Sequence, residues 1–214
     1  GYLETIADKE QPDDLRLSLI DKLTSPLSRI RSLVDDLLLL TRLESTPVPA
    51  QLDPVAMTTV IRNAVNEVRG LAQSPDQISV KITTQARIKG IETELYSVCV
   101  NLLSNALRYS QEGKPVTISW QEVDGKAQLC VVDQGVGIAP EHLNRITERF
   151  YRVDMADART RGGTGLGLAI VKHVLRRHHS ELFVKSTVGQ GSEFFCNFAI
   201  AEPAETNAPA SLNA

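Results

Sequence analysis

The chain has 214 residues, 42% hydrophobic and 23% charged, with a net charge of −3 and an isoelectric point near 5.9. It can bury an ordinary globular core, offers no basic surface for nucleic acid, and has no apolar run long enough to cross a bilayer. Three cysteines and four histidines show neither disulfide nor metal-ligand spacing, so the thiols read as buried or idle in a reducing compartment.

Beginning at Gly1 in the middle of a pattern, the chain reads as a piece of a longer polypeptide, with residues 1–7 as the end of an earlier helix. Gln11-Pro12-Asp13-Asp14 supplies a turn and acidic residues for a helix start. From there Leu15, Leu19, Leu23, Leu27, Ile30, Val34, Leu37 and Leu40 recur in steps of three and four, giving a helix with a narrow apolar seam. Two such helices cannot bury their seams alone. A dimeric four-helix bundle completes them, and a two-helix cap on the next domain is the other solution. Ser25-Pro26 predicts a kink.

Residues 1–45 are thus a partial dimerisation unit, 46–54 a proline-bearing linker, 55–202 the main domain, and 203–214 an Ala- and Asn-rich tail expected to be disordered. In the main domain the spacing predicts helices over 57–72, 92–109 and 164–178. Strands are expected at 77–84, 116–122, 127–132, 182–187 and 193–200, and 86–89 as the hairpin partner of the first. Hairpins with helices between them give an α+β fold, a two-layer sandwich.

Three clusters carry chemistry. Asn101, Asn105 and Arg108 lie four and three apart on one helix face, followed by Tyr109. Amide oxygens suit a hard Mg²⁺ that keeps most of its waters, an arginine suits phosphate, and a tyrosine can pack beside a base. Alone, this is an ordinary solvated face. Asp133 ends an apolar strand and precedes Gly135 and Gly137, a place where a buried carboxylate can accept from an exocyclic amine while glycines let the ring approach. Alone, it is equally a turn. Gly163-Thr164-Gly165-Leu166-Gly167 enters a helix and offers free N–H groups to phosphate, without the Gly-Lys-Ser/Thr ending of a Walker loop. Before it, Arg149, Arg152, Arg159 and Arg161 suggest a mobile lid whose cations meet a γ-phosphate.

In this order the clusters resemble the N, G1, F and G2 boxes of sensor histidine kinases, members of the GHKL superfamily with its Bergerat ATP-binding fold. Glu148–Asp154 and Gly165–His173 look closest to the phosphate-regulon sensor kinase branch. The resemblance covers about residues 1–200. It implies ATP and Mg²⁺ as cofactors, Asn105 as metal ligand, and Asp133 with Gly135, Gly137 and Ile138 around adenine. Arg108, Arg149, Arg152, Arg159, Arg161 and residues 163–167 would meet phosphates, and Asn101, Asn105 and Arg152 would serve the transfer. It also implies a homodimer through the N-terminal helices, a response-regulator receiver domain as partner, and a membrane-anchored parent with this part in the cytoplasm.

Two departures stand out. His178-His179-Ser180-Glu181 replaces a His-Gly-Gly-like turn, and no histidine lies in residues 1–45 to accept phosphate. Asp21-Lys-Leu-Thr-Ser-Pro26 superficially resembles the acceptor box with Asp21 in the histidine's place. Residues 33–44 follow at once, like the exit of the second helix, and leave no room for the hairpin. The expectation is therefore a kinase fragment that donates γ-phosphate to a histidine elsewhere. A GHKL-type ATPase needs a glutamate base where Asn101 stands. A nucleotide-propped interaction module without kinase activity is the third reading.

Overall fold

The computed structural model describes residues 13–72, 75–111, 113–153 and 163–201. The expected early helix end, Arg159, Arg161 and the tail lie outside the described residues.

Helix α1 spans Asp13–Ser45, and its helical assignment is unbroken through the Pro26 position where the sequence predicts a kink. Leu27, Ile30, Val34 and Leu37 stand exposed, and the seam turns inward at Leu40 and Leu43, which are buried. The chain then forms β1 (Asp53–Val55) and α2 (Met57–Val68). Helix α2 buries Met57, Val60, Ile61, Ala64, Val65 and Val68, the face its three- and four-residue spacing dictates. It tightens into a 3₁₀ turn at Arg69–Leu71, where Gly70 weakens the helix, so α-helical geometry stops short of the expected residue 72.

Next come β2 (Ile78–Ile82), β3 (Ile88–Gly90) and α3 (Glu92–Tyr109). Glu92 and Glu94 in the first turn of α3, and Arg108 in its last, complement the helix dipole. Strands β4 (Val116–Val123) and β5 (Lys126–Asp133) form a hairpin in which Asp124 and Gly125 take φ of 50° and 72°, as a two-residue turn of this hand requires. A short helix α4 (Pro140–Leu143) precedes α5 (Gly167–Arg177), and β6 (Phe183–Thr187) and β7 (Gly191–Phe198) close the domain.

The main sheet has the order β2-β4-β5-β7-β6. The β2–β4 pair is parallel and the remaining pairs antiparallel. This corrects the expected 77–84/86–89 hairpin: β3 pairs instead with β1 in a separate two-stranded sheet. The cause is non-local. After β2, Thr83 N–H donates to the Trp120 carbonyl and the Trp120 indole N–H donates to the Ala86 carbonyl. Those bonds hold the chain along β4 instead of folding it back, and β3 and α3 form the crossover between the parallel strands.

Helix α3 packs on both α2 and α5, and α1 lies against α5. Alternate residues of β4 and β7 (Val116, Ile118 and Trp120; Phe194, Cys196 and Phe198) are buried in the core between sheet and helices. Cys99, Cys130 and Cys196 are free and buried, and burial pushes the Cys99 thiol up to about 12, which makes it inert.

One polar joint fastens α5, α3 and α1. The Arg177 guanidinium grips Glu94 in a fork, Nη2 to Oε1 at 2.9 Å and Nε to Oε2 at 3.0 Å. Its Nη1 also donates to the carbonyls of Leu43 and Thr46, capping the end of α1. Next to it, buried His178 donates from Nδ1 to the Val174 carbonyl (2.8 Å) and accepts at Nε2 from Ile91 N–H (3.0 Å). Those partners fix a neutral imidazole, and burial, chiefly, lowers its pKa.

Candidate functional site

Strand β5 ends in Asp133, only 4% exposed. Its Oδ1 accepts from Gly135 N–H at 2.8 Å. Burial raises the carboxyl pKa against the opposing effect of the Gly135 and Ser192 N–H groups, and no cation among the described residues contributes. The loop that follows is wedged. Val136 N–H donates to the Tyr109 carbonyl and Gly189 N–H to the Val136 carbonyl, so the loop is fixed between the end of α3 and the β6–β7 turn. A Cβ at Gly135 would overlap the Tyr109 carbonyl oxygen, so only glycine fits there. Ile138 N–H donates to Ser186 Oγ, which in turn donates to the Gly191 carbonyl.

The second cluster lies on α3. Asn101 donates from Nδ2 to the Ser97 carbonyl at 2.8 Å, and its Oδ1 lies against Gly167 at the start of α5. Asn105, half-buried on the same face, makes no side-chain hydrogen bond among the described residues. Arg108 forms no ion pair among the described residues. Burial lowers its pKa first, and the charges of Arg152 and Arg29 push the same way against Tyr109 and Asp36. Arg108 remains charged, so partly buried cations gather here with one carboxylate nearby.

The third cluster enters α5. The helix begins at Gly167, not at the expected Thr164, because Gly163 and Gly165 adopt φ of 96° and 74°, outside helical space. Phe150 N–H donates to the Gly165 carbonyl (2.9 Å), and Arg152 Nη1 to the Gly163 carbonyl (2.9 Å). The residue before the helix, Leu166, is fully buried and supplies no side-chain cap, so the first N–H groups of α5 stay available. Thr164 Oγ1 accepts from Leu166 N–H and donates to Asp36 of α1 at 2.7 Å. Arg149 pairs with Glu44 of α1 rather than with the glycine loop.

The three clusters therefore meet at adjoining ends of α3, β5 and α5. Sequence patterning gives no sign of four further residues: Asp36, Ser97, Ser186 and Ser192. Asp36 sits beside Asp35 on a charged helix face, and only the docking of α1 distinguishes the two. No cluster of three or more His, Cys, Asp or Glu side chains forms among the described residues. Any metal here would rest on amide, water and ligand oxygens.

The family profile of histidine kinase-, DNA gyrase B- and HSP90-like ATPases matches residues 90–202. The phosphate regulon sensor protein PhoR of Pseudomonas aeruginosa is 42% identical over 207 residues, 96% of this chain and 47% of that protein. Among solved structures, a mycobacterial sensor histidine kinase, MprB, is 30% identical with a TM-score of 0.60, over 70% of this chain and 99% of that one. Full-length ShkA, solved with AMPPNP, is 28% identical with a TM-score of 0.66, over 89% of this chain and 39% of that one. The chain spans about half the length of the curated relatives it matches.

Proposed function

The chain belongs to the sensor histidine kinases and carries their ATPase-type domain, and on that premise we propose that it binds Mg²⁺-ATP and donates the γ-phosphoryl group to a histidine this chain does not contain. The observation that carries the reading is Asp133, a buried carboxylate whose donors are backbone N–H groups and which no cation among the described residues neutralises. Such a group is costly unless a ligand donor completes it, and the exocyclic amine of adenine is such a donor.

Around it, Gly135, Gly137, Ile138 and Tyr109 would enclose the base. Residues 163–167 would cradle phosphates with backbone N–H groups, and Arg108, Arg152, Arg159 and Arg161 would balance their charge, with Arg149 joining them only by leaving Glu44. Asn105, whose amide makes no side-chain hydrogen bond among the described residues, suits Mg²⁺. The bound ion would neutralise charge on the phosphate oxygens. Asn101 stands where a hydrolase needs a base, and its amide is engaged with Ser97. Phosphoryl transfer relies on positioning and electrostatics, so a site with amides and arginines but no base favours transfer over hydrolysis.

The four histidines all lie beyond α1: His142 bonds Tyr151, His173 approaches Glu44, His178 is buried, and His179 follows it. None is available on α1 as acceptor. The exposed seam Leu27, Ile30, Val34 and Leu37 supports pairing with a second copy of the chain, and a receiver domain would take the phosphoryl group onward. No helix among the described residues is long and apolar enough to cross a membrane. The reading places this part on the cytoplasmic side of a membrane-anchored parent.

Calorimetry with ATP, with and without Mg²⁺, tests the assignment together with γ-labelled ATP. We expect Mg²⁺-dependent binding and no self-labelling. Robust ATP hydrolysis that Asn101→Ala abolishes would overturn the transfer reading in favour of an ATPase.

A further inference from the structure

At the other end of the sheet from Asp133, a groove of about 530 Å³ opens between the C-terminal turn of α5 and the start of β6. That is the size of a small-molecule site. Lys126, Lys172 and Arg176 line it, and none of the three forms an ion pair among the described residues. One acid, Glu181, shares the lining. The field reaches neighbouring His173: burial lowers its pKa most, then Arg149, with Arg176 and Lys172 adding to the depression. Three cations around a concave surface, outnumbering its one carboxylate, repel one another and attract an anion.

The turn that shapes the groove is itself strained. After α5, Ser180 N–H returns to the Leu175 carbonyl at 2.8 Å, and the residue between, His179, takes φ of 51°. This is the left-handed position after a helix that glycine normally fills. A histidine there sacrifices stability, and what it adds is an imidazole in the groove lining. The lining adds Phe183, 39% exposed and stacked on Phe195 with centroids 5.2 Å apart, which leaves part of its apolar surface accessible.

We propose that this groove is a second ligand site, separate from the nucleotide pocket, for a small organic phosphate bearing an aromatic ring. The phosphate lies among Lys126, Lys172, Arg176 and His179, and the ring lies on Phe183. Flat aromatic ligands stack on such a face, and phosphate pairs with lysine and arginine.

The probe is guanosine monophosphate, titrated into the ¹⁵N-labelled chain with the nucleotide pocket held by excess Mg²⁺-AMPPNP. Amide shifts are expected over residues 172–182 and not over 133–137. Guanosine and pyrophosphate should each bind at least about tenfold more weakly, since each lacks one half of the recognition. The double variant Lys172→Gln/Arg176→Gln should lose about tenfold or more in guanosine monophosphate affinity, with ATP affinity within about twofold of wild type. His179→Gly should raise the melting temperature yet weaken binding. The absence of shifts at 172–182, equal binding of guanosine or pyrophosphate, or an unaffected double variant would each overturn the site. ATP affinity, measured separately, reports on the catalytic reading and leaves this test independent of it.

Discussion

The two ends of α5 make opposite use of polar groups. At the C-terminal end the two buried donors find acceptors: Arg177 on Glu94, Leu43 and Thr46, and His178 between Val174 and Ile91. At the N-terminal end the first turn lacks a side-chain cap, and among the described residues Arg108 has no ion-pair partner and Asn105 makes no side-chain hydrogen bond. Both ends are partly buried, so exposure does not explain the contrast. A satisfied buried network fixes elements in place. An unsatisfied one keeps donors and acceptors for water or a ligand to complete. The joint that fixes α1 to the domain therefore lies on the buried side of one end of the helix, and the proposed nucleotide site lies at the other end.

The strongest way to break this comparison is at the joint. Arg177→Ala leaves Glu94, 12% exposed, charged without its fork, and uncaps α1. We expect a loss of about 3 kcal/mol in stability by denaturant unfolding, the range for removing one partner of a buried pair. A loss under about 1 kcal/mol would place this ion pair with surface bridges.

Asp133→Asn should act in two directions at once. It removes a carboxylate whose burial is only partly offset by the Gly135 and Ser192 N–H groups, so the ligand-free chain should melt at a higher temperature at neutral pH. ATP binding should weaken by about tenfold or more, the cost of losing a charge-assisted hydrogen bond. The pH dependence has a definite sign. Because the folded pKa of Asp133 is raised, the wild type loses this group's contribution as pH rises from its unfolded value of 3.8 through the folded value. The asparagine variant should lack that loss.

The smallest effect is at His178 and runs the other way. Its folded pKa lies below the unfolded value of 6.5, so its contribution is complete above 6.5 and is lost as pH falls toward the folded value. Protonation would set a second N–H against that of Ile91. Urea midpoints should fall in wild type as the pH drops below 6.5, and His178→Gln should flatten that slope.

The signals legible in the sequence were local ones. The periodic seam predicts α1, the Asp124-Gly125 turn predicts the β4–β5 hairpin, and the three clusters predict where polar groups gather, since four- and three-residue steps put Asn101, Asn105 and Arg108 on one face of α3. Family membership follows from the order of those clusters and is supported by the relatives. The partner of β2, the docking of α1 that brings Asp36 to Thr164 and Glu44 to Arg149, and the roles of Ser186 and Ser192 beside the Asp133 loop were decided only by tertiary structure. Helix faces and tight turns are dictated by backbone geometry within a few residues. A strand's partner or a lone carboxylate's role depends on segments about forty to more than a hundred residues away, which no local period encodes.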